Sequence, residues 1–226
     1  MANSLIERLE RRDYESSSTV FQTVFYSLER TICHAVLRRS PPTMDGPQLL
    51  NLGCGPHNYP GWVNADDYAP KRRLRERSFR PNWNLDVTRA WKCPDNHWDG
   101  IFTEHVIEHI SYSEAVKVFR ECLRTLKPDA WLRISVPDAV KYARHGSDEQ
   151  LCLDAPPFPS PALAISFATQ MHFHRSAWDA TLMTQVLREV GFSDVRTVSY
   201  QVGADPRLIK DDVDKARESL YVEARK

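Results

Sequence analysis

From residue 48 onward, short apolar runs alternate with longer stretches of helical periodicity. The runs at 48–52, 62–66, 83–86, 99–103, 131–136, 194–200 and 219–224 have strand length. Segments 111–126 and 176–190 repeat apolar residues at helical spacing, and a short helix is expected near 105–110. Gly191 closes the last helix, and Ser176 with Asp179 opens it in the manner of a capping box that has Asp in place of Glu. Alternation of this kind predicts an α/β fold, a mostly parallel seven-stranded sheet with helices on both faces. Upstream, Phe21, Phe25, Leu28, Ile32, Ala35 and Val36 form one apolar helical face, and Pro41-Pro42 stops that helix. The expected organisation is an N-terminal helical extension over 1–46 and a domain over 47–226. The extension is read as a cap on the domain, with a homodimer surface or a lid as the alternatives.

One connection departs from the pattern. Only six residues lie between Gly55 and Trp62, whereas a parallel crossover takes about a dozen or more. The first crossover helix should therefore be a single turn. It joins Leu49-Leu50-Asn51-Leu52-Gly53-Cys54-Gly55 to Gly61-Trp62-Val63-Asn64-Ala65-Asp66. This reads as a buried strand, a glycine turn, a second strand and an acid at its end. Glycines allow close approach of backbone to a ligand, and an acid in that place can hydrogen-bond a ribose hydroxyl pair. His57 stands where a third glycine would complete a dinucleotide fingerprint. A nucleoside ligand without phosphates fits better than a dinucleotide.

Further motifs follow in order. They are Glu104-His105-Val106-Ile107-Glu108-His109, Leu126-Lys127-Pro128, Val136-Pro137-Asp138 and Glu189-Val190-Gly191-Phe192. With the glycine turn and the G-W-x-N-x-D run, this ordered set resembles the class I S-adenosylmethionine-dependent methyltransferases over about residues 48–200. Lys127-Pro128-Asp129-Ala130 departs from the usual K-P-G-G turn. The resemblance implies a Rossmann-like, doubly wound sheet and S-adenosylmethionine as cofactor. By position, it implies that Gly53, Cys54 and Gly55 line the methionine part through their backbone. It further implies that Asp66 binds the ribose, that Leu85 and Asp86 flank the adenine, and that Glu104 lies beside the methionine end. Asp67 follows Asp66 directly and is the competing ribose ligand.

The sulfonium methyl is already electrophilic, so the protein must align an acceptor and exclude water. A hydroxyl acceptor also needs a base, worth about 10²–10⁴ in rate. His105 and His109 lie four apart in the expected short helix after the fourth strand, where open α/β sheets bind ligands. Glu108 is expected to point elsewhere. His174, in His174-Arg175, matches an H-R or H-K pair of the family and is expected at the acceptor pocket. The long segment 139–175, with Pro156-Pro157-Phe158-Pro159-Ser160-Pro161, is expected to be the acceptor loop. Trp62, Trp98 and Trp131 are expected in the core, Trp83 and Trp178 at the ligand cleft. No zinc site is expected, for want of a third ligand. The metal alternative is magnesium held by Glu104, Asp138 and substrate oxygens.

Composition narrows the reading further. Thirty basic side chains balance thirty acidic ones among 226 residues, so no global basic field attracts nucleic acid. The run Lys71-Arg72-Arg73-Leu74-Arg75-Glu76-Arg77 is read as a solvated insertion. Five widely spaced cysteines without a C-x-x-C pair suggest reduced thiols and a cytoplasmic protein. No apolar run approaches the ~20 residues of a membrane span. The expected activity is O-methylation of a small polar acceptor, a saccharide first. N-methylation of a small amine and a non-catalytic cofactor-binding partner are the rivals.

Overall fold

The computed structural model describes residues 40–67, 81–144, 151–152 and 158–226. The N-terminal apolar helix, its dimer and lid alternatives, the basic run 71–77 and Pro156-Pro157 lie outside them.

Seven strands form one sheet: β1 (Leu49–Leu52), β2 (Val63–Asp66), β3 (Trp83–Asn84), β4 (Gly100–Glu104), β5 (Trp131–Pro137), β6 (Asp194–Val198) and β7 (Ser219–Arg225). Their order is β3-β2-β1-β4-β5-β7-β6. β7 runs antiparallel to both of its neighbours, and all other pairings are parallel. β1 is buried at every position, as a central strand covered on both faces must be. The expected third strand is cut to two residues, because Leu85 and Asp86 leave the ladder for a turn in which the Arg89 amide donates to the Asp86 carbonyl.

Helix α1 (Tyr112–Thr125) is started by a complete capping box between Ser111 and Glu114. Its Ala115, Val118, Phe119 and Cys122 face the sheet at helical spacing. α2 (Ala139–Ala143) and α3 (Pro161–Gln170) occupy part of the expected acceptor loop. α4 (Ala180–Val190) begins later than expected. Asp179 is its N-cap, accepting from the Leu182 amide, and Gly191 closes it in the left-handed conformation. Ser176 does not cap it; its hydroxyl donates instead to the Ile107 carbonyl. Trp83 and Trp178 are 2% and 1% exposed. Both are core residues packed edge-on against Trp91 and against Tyr112 and Phe119, so neither reaches a cleft. Trp62 and Trp98 are buried as expected, while Trp131 is half-buried. Cys54, Cys93, Cys122 and Cys152 are free and buried. No described helix is long and apolar enough to cross a membrane.

The short first crossover contains no helix at all. Two buried asparagines take its place. Asn51 donates to the His57 carbonyl (2.8 Å) and to Asn64 Oδ1 (3.1 Å). Asn64 accepts from the Tyr59 amide (2.9 Å) and donates to the Tyr59 and Trp62 carbonyls. Side-chain amides thus satisfy backbone groups that a helix would have satisfied internally.

On the other side of β4, Arg133 is wholly buried and donates to Asp211 (2.7 and 2.5 Å), Glu223 (2.9 Å) and the Val202 carbonyl (2.9 Å). This cluster anchors the 199–212 segment to β5 and β7. Removing the cation would strip two buried carboxylates of their closest ion-pair partner. Arg133→Leu is therefore expected to lower unfolding free energy by about 3–5 kcal/mol in urea titrations. A loss below 1 kcal/mol would show that the segment is held by other means.

Candidate functional site

The site grows from the C-terminal ends of β1 and β4. These strands pair in parallel with Leu52 opposite Thr103, so the chain leaves both at the same level. At the end of β1, Gly53 adopts φ +72° and donates its amide to the Ala65 carbonyl at 2.8 Å. A Cβ there would stand 2.2 Å from Val106 Cγ2, so both conformation and packing require glycine. Gly55 has φ +51° and faces open space. Its amide donates to Asp66 Oδ2 at 2.8 Å, which fixes the acid of β2 against the bend. The Cys54 thiol is buried, and burial pushes it up to about 12, with Asp66 adding to the effect. Leu85 is bonded to the same strand end through the Asp66 carbonyl (3.0 Å). Asp86 is 5% exposed and held by the Thr88 amide and hydroxyl and by Arg89.

At the end of β4, Glu104 accepts from the Asp212 amide at 3.1 and 3.3 Å. Burial, with Asp211 and Asp212 nearby, pushes its carboxyl up to about 7. His105 then reverses the chain with φ +51°. Its Nε2 lies 2.8 Å from Ser219 Oγ and its Nδ1 lies 3.4 Å from Glu108 Oε1. The segment Ile107–His109 is one turn of 3₁₀ helix. Such a turn aligns positions three apart, not four, so His105 meets Glu108 instead of His109. Contrary to expectation, Glu108 points inward. It is 2% exposed, and neither carboxylate oxygen has a hydrogen-bond partner.

His109 meets His174 instead, ring centroids 4.8 Å apart and edge-on. The strap that carries His174 is tied over the 3₁₀ turn, with the Arg175 and Ser176 amides both donating to the Glu108 carbonyl (2.7 and 3.1 Å). Before it, His172 and Phe173 take φ +56° and +63°, a strained pair that turns His174 inward. His174 Nδ1 lies 2.6 Å from the Ala168 carbonyl and donates to it. Burial lowers all three imidazoles: His105 to about 3, His109 to about 4, and His174 in the same direction. They are neutral near pH 7.

The three histidines expected at the acceptor side thus form one cluster after β4, and Val106, next to His105 in the chain, packs on Gly53 of the bend. Asp138, the expected magnesium partner, caps α2 through the Val140 amide (2.9 Å), while Glu104 is tied to Asp212. Among the described residues, ligand-type groups converge at Glu108, His109 and His174. The sequence reading missed Glu108, Tyr142 and Glu218, the last two joined by a short hydrogen bond, with Lys215 3.4 Å from Glu218. The three-residue spacing of His105 and Glu108 was the available signal for the first. The others come from segments far apart in sequence.

A family model described as a methyltransferase domain matches residues 25–197. No curated relative matches the sequence at a significant level. Among solved structures, a SAM-dependent methyltransferase from Archaeoglobus fulgidus superposes with a TM-score of 0.53 at 16% identity, over 91% of this chain and 100% of that one. A SAM-dependent methyltransferase from Thermotoga maritima, described as a possible histamine N-methyltransferase, gives 0.51 at 11% identity over 92% and 96%. At these identities the likeness is one of fold.

The two glycines differ in what surrounds them, and that difference is measurable. Gly55→Ala meets only the left-handed backbone cost, about 1–2 kcal/mol. Gly53→Ala adds the collision with Val106. Thermal unfolding should show Gly53→Ala as the more damaging change; equal losses would mean that Val106 yields freely.

Proposed function

The chain belongs to the methyltransferase-domain family; we propose that it transfers a methyl group from S-adenosylmethionine and that its acceptor is a hydroxyl of a small polar molecule, a saccharide in the first place. The observation that carries this reading is the cluster of neutral imidazoles at the end of β4, beside the glycine bend. An amine brings its own lone pair, whereas an alcohol needs a base at the acceptor atom. Lys215, 3.4 Å from the buried Glu218 and electrostatically felt by His105, adds a polar group on that side.

In this reading the backbone of Gly53, Cys54 and Gly55 cups the methionine part, Asp66 takes the ribose hydroxyls, and Leu85 and Asp86 flank the adenine. Glu104 faces the ammonium end. His105 is the base, with Glu108 behind its Nδ1, and His109 and His174 border the acceptor. In the transfer, the acceptor oxygen bonds the methyl carbon as the carbon–sulfur bond breaks. The sulfonium leaves as neutral S-adenosylhomocysteine, and the hydroxyl proton passes to His105.

His105→Ala should lower turnover about 10²–10⁴-fold while S-adenosylhomocysteine still binds. A panel of sugar, alcohol and amine acceptors, assayed for S-adenosylhomocysteine release, identifies the class. Turnover of amines alone, undiminished in His105→Ala, would contradict the hydroxyl reading.

Glu104 adds a pH test. Burial, with Asp211 and Asp212 nearby, holds its carboxyl up near 7 in the free protein. The ligand ammonium favours the ionised form, so binding below that value must expel a proton. Affinity for S-adenosylhomocysteine should rise from pH 6 to 8, by at most about tenfold per unit, and then level off. Glu104→Gln should flatten the profile; an unchanged slope would place the ammonium elsewhere.

A further inference from the structure

Glu108 poses a question that the base assignment leaves open. A carboxyl group 2% exposed, with both oxygens lacking hydrogen-bond partners, is costly to bury. Among the described residues, the groups within ion-pair distance of it are imidazoles. His105 Nδ1 stands 3.4 Å away and His109 Nε2 3.9 Å away. One ligand atom each from Glu108, His109 and His174 lies within 4.8 Å of the other two.

The two histidines are arranged as metal ligands are. His174 gives its Nδ1–H to the Ala168 carbonyl, which leaves Nε2 with its lone pair. The His109 ring bonds to the His172 backbone, which fixes one nitrogen and leaves the other free to coordinate. A backbone carbonyl behind each ligating imidazole is the usual means of setting tautomer and orientation. The strained His172-Phe173 pair and the two amide bonds to the Glu108 carbonyl hold these side chains together across 65 residues of sequence. Of the two histidines that the sequence paired, His109 alone belongs to this set, and folding brings Glu108 and His174 to it.

We infer that Glu108, His109 and His174 form a binding site for a divalent transition-metal ion of the zinc class, with an open position toward the acceptor side. Two imidazoles and one carboxylate favour zinc-like ions over magnesium or calcium, which prefer all-oxygen sets. Three protein ligands with a free fourth position are the arrangement of catalytic zinc sites. Ligand atoms about 2.0–2.2 Å from zinc stand roughly 3.3 Å apart. Closing the set therefore needs shifts of up to about 1.5 Å, which His109, 39% exposed at its side chain, has room to make. A bound ion would give the Glu108 oxygens a partner and could hold the acceptor oxygen beside His105. That last use rests on the methyl-transfer reading above; the existence of the site does not.

The test uses the tag-free full chain after chelator dialysis. Zinc is titrated by calorimetry, and Co²⁺ is used as a spectroscopic probe. The expected result is one equivalent bound, with the visible bands of four- or five-coordinate cobalt. His109→Ala, His174→Ala and Glu108→Gln should each weaken binding more than about tenfold, beyond the lower range for loss of an outer-shell partner. Circular dichroism and S-adenosylhomocysteine calorimetry on the same variants report whether fold and cofactor binding survive. If Glu108→Gln does not fold, the two histidine variants decide. Absence of stoichiometric binding to the wild type, or binding unchanged in both histidine variants, overturns the site. Failure to bind S-adenosylhomocysteine with zinc binding intact would instead overturn the cofactor reading.

Discussion

The parallel pairing of β1 with β4 is the constraint on which the site depends. Leu52 stands opposite Thr103, so the glycine bend after one strand and the Glu104-His105 break after the other emerge side by side. Neither element works alone. The bend needs Gly53 because Val106, on the segment leaving β4, occupies the space of a side chain. The break needs β5 beside it, since the His105 amide donates to the Ser135 carbonyl at 2.9 Å. A one-residue slip in this pairing would exchange the inward and outward faces of both strands and separate the two.

Two polar devices hold this geometry from outside the apolar core. The Asn51–Asn64 pair closes a crossover too short for a helix and keeps Asp66 level with the bend. The Arg133–Asp211–Glu223 cluster fastens the 199–212 segment, which delivers the Asp212 amide to Glu104. Buried ion clusters are not in general a source of stability. Here the cluster's consequence is positional, because it fixes the electrostatic surroundings of the carboxyl at the end of β4.

Much of this was legible in the chain. Each of the seven strands occurs close to its expected place, since apolar runs between turn residues carry a direct signal. Gly53, Gly55 and Asp66 come together as the motif implied. The failures have particular causes. Helical spacing assigned His105 to His109, but the segment is a 3₁₀ turn entered through a left-handed residue, so Glu108 faces His105 and His109 faces His174. Trp83 and Trp178 were placed at the cleft because tryptophan suits both core and ligand; only their neighbours decide, and those come from distant segments. The asparagine pair and the Arg133 cluster were invisible for the same reason. Their partners lie 13, 78 and 90 residues apart.

The central claim is that the glycine bend of β1 and the histidine cluster after β4 are two halves of one methyl-transfer site. A crystal structure with S-adenosylhomocysteine bound tests it most directly. The account predicts ribose hydroxyls on Asp66 and the thioether sulfur lying over Gly53 and facing His105. A ligand bound away from the bend, or with its sulfur turned from the histidines, would contradict it.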